Sequence, residues 1–166
     1  MIGTERRHEQ GQLTESECRE VLARSVVGRL AVVRHGIPHI ELVGIIHLDG
    51  EPVALLPEGS TITHTLSAVI SPRRLVVLHA DDADDVADSR PWAQAVTAVA
   101  RPRWVVGLDD LCDCRRAAEI RGLDHGAVAW FLALPHPTLT GHRVPLRRHA
   151  RADVRDGALR PATAPE

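Results

Sequence analysis

The stretch RLAVVRHGIPHIELVGIIHLDGEPVALLP, residues 29–57, decides the fold. Leu30-Ala31-Val32-Val33 is apolar and rich in β-branched side chains, and His35-Gly36 after it has turn composition. Pro38 to Leu48 reads as a second strand. Asp49-Gly50 is a strong signal for a two-residue hairpin, because both central positions of a type I′ turn need positive φ. Glu51 to Pro57 returns as a third strand. Both faces of Ile40 to Ile46 are apolar, so this strand is expected to be covered on two sides. Barrel closure would cover one, and a helix layer or a second subunit the other.

Toward the N-terminus, Thr14-Glu15-Ser16-Glu17 is a capping box, with Thr14 as N-cap, Glu17 at N3, and Leu13 and Cys18 at the hydrophobic-staple positions. Cys18, Val21, Leu22 and Ser25 then share one helical face. The helix is expected to run to about Arg24, with Gly28 ending it or turning the chain. Met1 to Gln12 is polar and charged, which predicts a disordered tail and no signal peptide.

Toward the C-terminus, Glu58-Gly59-Ser60 opens a short helix, about Thr61 to Ile70, that Ser71-Pro72 stops. Leu75 to Leu78 is a buried strand, and Asp81 to Asp88 an acidic, solvated loop. Ala93 to Val106 reads as one long strand bent near Pro102. Asp109 to Arg121 is a helix with acidic residues in its first turn, matching the macrodipole. Ala127 to Leu134 is the last core strand, and a final loop flanked by His136 and His142 follows. From Arg147 the chain is rich in Arg, Ala and Pro, as a disordered tail would be. The expectation is one domain over residues 13–146, between tails 1–12 and 147–166. It is mostly β with peripheral helices, in a barrel.

Composition narrows the chemistry. The 166 residues suffice for one sizeable core, and a net charge of −2 gives no global attraction to nucleic acid or membrane. All 20 basic residues are arginine. Without lysine there is no Schiff base, no P-loop lysine and no lysine general base. Four aromatic residues, Trp92, Trp104, Trp130 and Phe131, are too few for a nucleic-acid stacking platform. Cys18, Cys112 and Cys114 form neither a disulfide scaffold nor a zinc motif, and Cys112 and Cys114 point to nearly opposite sides of a helix. A cytoplasmic setting, with no metal site, is the expectation.

Several landmarks in order give a resemblance. Val27-Gly28-Arg29-Leu30-Ala31-Val32-Val33 followed by Gly36-Ile37-Pro38-His39-Ile40, the Asp49-Gly50 turn, Glu58-Gly59-Ser60-Thr61, Ser71-Pro72-Arg73, Trp92 before Val96, and Pro137-Thr138-Leu139-Thr140-Gly141 are similar to the pyridoxamine 5′-phosphate oxidase-like superfamily. They span about residues 13–145. The resemblance implies an FMN-binding split β-barrel, a homodimer with cofactor sites at its interface, and FMN or a deazaflavin in two-electron chemistry on a small-molecule substrate. Some relatives hold haem instead, or no known cofactor. In FMN binders the phosphate meets the loop before the short helix, which places Ser60, Thr61, Thr63 and His64 as cofactor-binding, with Arg73 in place of the missing lysine. The positions near the flavin ring read Leu42, Gly44 and Ile45.

Two further readings stand beside the flavin-dependent oxidoreductase. One is a split barrel that has lost flavin and binds haem or another small ligand. The other is a cofactor-free enzyme whose acid–base set is His39, Glu41 and His64. His39, Glu41 and His47 share one parity of their strand with Val43 and Ile45. They line a ligand cavity if that face is inward, or meet solvent if the strand end protrudes. Likewise Ser60 serves a ligand or simply caps a helix.

Overall fold

The structure, a computed structural model, describes residues 11–68, 74–82, 92–123 and 130–145. Helix α1 (Glu15–Arg24) starts on the expected capping box: Thr14 N donates to Glu17 Oε2 at 2.8 Å, and Glu17 N donates to Thr14 Oγ1 at 3.3 Å. The helix ends at Ser25 and not at Gly28. Gly28 instead lies inside strand β1 (Val27–Arg34), where a Cβ would stand 2.7 Å from Ile45 Cδ1 and 2.8 Å from the His79 carbonyl oxygen. Close packing, not a turn, requires glycine there.

Strands β1, β2 (Ile37–Leu48) and β3 (Glu51–Leu56) form the two expected hairpins. His35 and Gly36 have φ of 49° and 79°, and Asp49 and Gly50 have 50° and 81°, so both turns are of the primed type that matches strand twist. Helix α2 (Thr61–Ala68), β4 (Val76–Asp81), β5 (Trp92–Ala100), β6 (Arg103–Trp104), α3 (Leu108–Ile120), β7 (Trp130–Ala133) and β8 (Thr138–Pro145) follow. Every pairing is antiparallel, in the order β6-β7-β3-β2-β1-β4-β5-β8. Leu132 of β7 and Ala98 of β5, from opposite ends of that order, belong to one buried cluster with Leu30, Ile45, Leu78 and Ile62. The sheet is therefore rolled around a single core.

The single long strand expected over 93–106 is two strands. The chain breaks at Arg101-Pro102; β5 pairs with β4 and β8, whereas β6 pairs with β7. Proline cannot donate to a ladder, so it stands where the chain leaves one partner for another. The expected final loop is strand β8, paired with β5 from Val99↔Thr138 to Trp92↔Pro145. Leu75 is exposed, and Asp81 is not in a loop but closes β4 opposite Ala95. Gly11 and Gln12 also meet β8, through Arg143 N to Gly11 O at 2.7 Å and a Gln12–His142 bridge. Residues 69–73, 83–91 and 124–129 lie outside the described residues, and with them the Ser71-Pro72 stop, Arg73 and most of the acidic stretch.

Outside the roll, α3 covers β2, β3 and β7. Cys114 and Ala118 pack on Ile46, Val53, Leu55, Phe131 and Ala133 in a second cluster. Cys112, two residues from Cys114, is exposed on the opposite side of the helix.

Candidate functional site

Register decides which way the candidate side chains point. Across β1, His39 faces Val32, Glu41 faces Leu30, and Val43 faces Gly28; across β3, Ile45 faces Ala54 and His47 faces Pro52. Leu30, Val32, Val43, Ile45 and Ala54 are core residues, so this parity is the inner face of the roll. His39 and Glu41 lie toward one end and His47 toward the other. Six residues separate Glu41 from His47, about 20 Å of extended chain. The three therefore do not form one cluster.

Glu41 is held at the start of α2. Ser60 Oγ donates to Glu41 Oε2 at 2.5 Å, and Ile62 N donates to Glu41 Oε1 at 3.3 Å. Ser60 also caps the helix: its Oγ accepts from Thr63 N at 3.1 Å, and its carbonyl accepts from His64 N at 3.1 Å. A carboxylate at a helix start satisfies amides that have no intrahelical partner and interacts favourably with the dipole. Ile62 and Leu66, one turn apart, anchor the helix in the core.

The expected phosphate residues divide. Ser60 and Thr63 are buried, at 5% and 6% exposure, while Thr61 and His64 face outward. The Thr63 hydroxyl has no partner among the described residues. Of the acid–base set, no hydrogen bond among the described residues joins His39 or His64 to Glu41, whose carboxylate is committed to Ser60 and Ile62. Arg74, next to the undescribed Arg73, donates to Thr65 O at 3.2 Å, within α2 and away from its start. Leu42, Gly44 and Ile45 do not share a face: Leu42 projects outward and is 67% exposed, whereas Ile45 is fully buried in the roll. Ile45 is thus unavailable to a flavin ring on the outer face.

At the other end, His47 lines a cleft of about 240 Å³ with Leu22, Pro52, Pro137, Leu139 and Arg19. Its Nδ1 is buried without a partner among the described residues. Burial lowers the imidazole pKa, and the nearby Arg121 guanidinium lowers it further. Arg121 itself donates to three carbonyls, Ala23 O, Ser25 O at 2.7 Å and Ile45 O at 3.3 Å. Neither this cleft nor the Glu41–Ser60 link has a local sequence signal, because each joins residues distant in the chain.

The uncovered surface completes the picture. Val27, Val33, Ile40 and Leu42 lie on the outer face of β1 and β2, and all are exposed. At Gly44 this face meets the part under α3, where a Cβ would stand 3.1 Å from Leu123 Cδ1. Among the described residues no three side chains converge as metal ligands, and no helix is long and apolar enough to cross a membrane.

No family model and no curated protein matches the chain. Solved structures do. An FAD-binding protein from Mycobacterium smegmatis superposes with a TM-score of 0.62 at 19% identity, over 82% of this chain and 99% of that one. A Corynebacterium glutamicum protein provisionally named a pyridoxamine 5′-phosphate oxidase gives 0.58 at 21% identity, over 81% and 98%. The haem storage protein HutZ from Vibrio cholerae gives 0.54 at 18% identity, over 77% and 94%.

Proposed function

From the premise that the chain has the split-barrel fold of the pyridoxamine 5′-phosphate oxidase-like superfamily, we propose that it is a flavin-binding homodimer that oxidises or reduces a small molecule in the cytoplasm. The observation that carries this reading is the outer face of β1 and β2, apolar except for Arg29 opposite Leu42 and left open by the described residues, with Val33, Ile40 and Leu42 at 58%, 63% and 67% exposure. Contiguous exposed apolar surface marks an interaction site. A second copy seated there would bury it, and a flavin ring held at its rim would be screened from water by both subunits. The flavin would supply the two-electron chemistry when bound, and the protein would bind, orient and shield it. The flavin-binding structural neighbours support this choice of ligand.

The α2 start is a poor phosphate seat as it stands, since Ser60 and Ile62 already give their donors to Glu41. That favours a second reading, haem, which carries no phosphate and which structural neighbours bind. One measurement decides between them. The purified chain is incubated separately with FMN, FAD and haemin, desalted, and its absorption spectrum recorded. Retained flavin bands are the expected result, and a retained Soret band would move the assignment to haem. A protein that stays colourless with all three would refute both. Light scattering is expected to give twice the chain mass, and a strict monomer would refute the interface.

A further inference from the structure

The Glu41 carboxylate occupies the anion position at the start of α2. Its two oxygens receive the Ser60 hydroxyl at 2.5 Å and the Ile62 amide at 3.3 Å, while the Ser60 oxygen is engaged by the Thr63 amide. Glu41 reaches this position from the inner face of β2, nineteen residues earlier in the chain. Its backbone is fixed by register opposite Leu30 in the middle of the hairpin. The contact is therefore built into the sheet. A phosphate arriving at α2 would meet a like charge at hydrogen-bonding distance from the same donors.

We propose that Glu41 is a specificity-determining residue that serves as the resident anion of the α2 start and makes the site blind to phosphate. The ligand is then selected by its ring system, and a phosphate on its tail adds nothing. This rests on the flavin reading for the identity of the ring, but the claim about phosphate can be tested without it.

The test uses the full chain and its Glu41→Gln, Glu41→Ala and Glu41→Gln/Ser60→Ala variants. Far-UV circular dichroism confirms that each is folded; Glu41→Gln keeps one acceptor oxygen for the Ile62 amide, and its amide nitrogen can donate to Ser60 Oγ and so free the Ser60 proton, so α2 is expected to stay in place. Riboflavin and FMN, which differ by the phosphate, are titrated into each. The wild-type chain is expected to bind the two with nearly equal affinity. Removing the charge should tighten FMN alone, roughly ten- to a hundredfold, the worth of hydrogen bonds to a charged group. The double variant should lose that gain, because Ser60 is one of the donors released. FMN binding much tighter than riboflavin in the wild type, or folded Glu41 variants that gain nothing for FMN, would overturn the proposal and leave the flavin reading intact. If no variant binds either flavin, the flavin reading fails, and inorganic phosphate decides the rest. Ile62 and Thr63 amide resonances that shift with phosphate in Glu41→Gln but not in wild type uphold the role of Glu41. Shifts in both, or in neither, refute it.

Discussion

Strand β2 crosses two regions of one sheet face that are alike in composition and opposite in fate. Beyond Gly44, Ile46 is fully buried, packed with Val53, Leu55 and Phe131 beneath Cys114 and Ala118 of α3. Before Gly44, Ile40 and Leu42 point the same way and lie in the open with Val27 and Val33. Apolar residues on a strand specify that something covers them, but not whether the cover is a helix of the same chain or another molecule. Here α3 supplies the first cover, and no described residue supplies the second.

The sharpest way to break this comparison is to place the same charge in both regions. Ile46→Asp would bury an unpaired carboxylate under α3 and is expected to cost about 3–5 kcal/mol, enough to unfold much of the population. Leu42→Asp should leave stability of the isolated chain within about 0.5 kcal/mol, as for an exposed site, while shifting light scattering to monomer. Equal loss of stability in urea melts for the two variants would mean that the regions are not different.

A smaller effect separates two glycines that lie diagonally in register across β1 and β2 but on opposite faces of the sheet. Gly28→Ala pushes a methyl against a backbone carbonyl, at 2.8 Å, and should cost about 1–3 kcal/mol. Gly44→Ala meets the tip of Leu123, at 3.1 Å, and Leu55 Cβ at an ordinary 3.5 Å, and should cost less than about 1 kcal/mol because the Leu123 side chain can turn aside. A reversed order in the melts would show that the boundary at Gly44 is packed as tightly as the core.

Thiol chemistry reads the cover on α3 without altering it. Burial, and then Asp110 and Asp113, push the Cys114 pKa up to about 11, so the thiol should resist modification in the folded protein. Exposed Cys112 should react at once, and Cys18 and Cys114 only on denaturation. Fast labelling of Cys114 would mean that α3 lifts from the sheet.

The smallest expected effect is one of pH, on the inner face of the same strand. The folded state holds His47 neutral, with its pKa lowered by burial and then by Arg121, so below the ordinary value of 6.5 the unfolded chain binds more protons. Stability should fall as pH drops through that value and level off below the folded pKa. His47→Gln should flatten the profile between those limits, and an unchanged slope would exclude His47 as its source.

What the sequence made legible was local. The capping box of Thr14 and Glu17, the Asp49-Gly50 turn and the strand composition of β2 each act within a few residues, and each appears as expected. Strand β8 escaped notice because its inward positions are Leu139, Gly141 and Arg143, with little apolar bulk to announce them. The reason lies in a distant element: a Cβ at Gly141 would stand 2.7 Å from Cys18 Sγ and 2.8 Å from Leu13 Cδ1 of the N-terminal segment. Pro102 was visible as a break but not as a change of partner, since partners are set by the whole sheet. At the candidate site Ser60 was legible as a helix cap, whereas its bond to Glu41 arises only from the hairpin register.

The reach of Arg121 has a consequence for the order in which the molecule comes together. The Ala23 and Ser25 carbonyls at the end of the first helix accept from a guanidinium nearly a hundred residues later. A nascent chain can wind that helix early, yet cannot fasten its end until α3 has been synthesised and docked. The first element made is thus among the last secured, and pulse-labelled amide exchange should find protection around Ser25 arriving together with α3, ahead of it only if the clasp is dispensable.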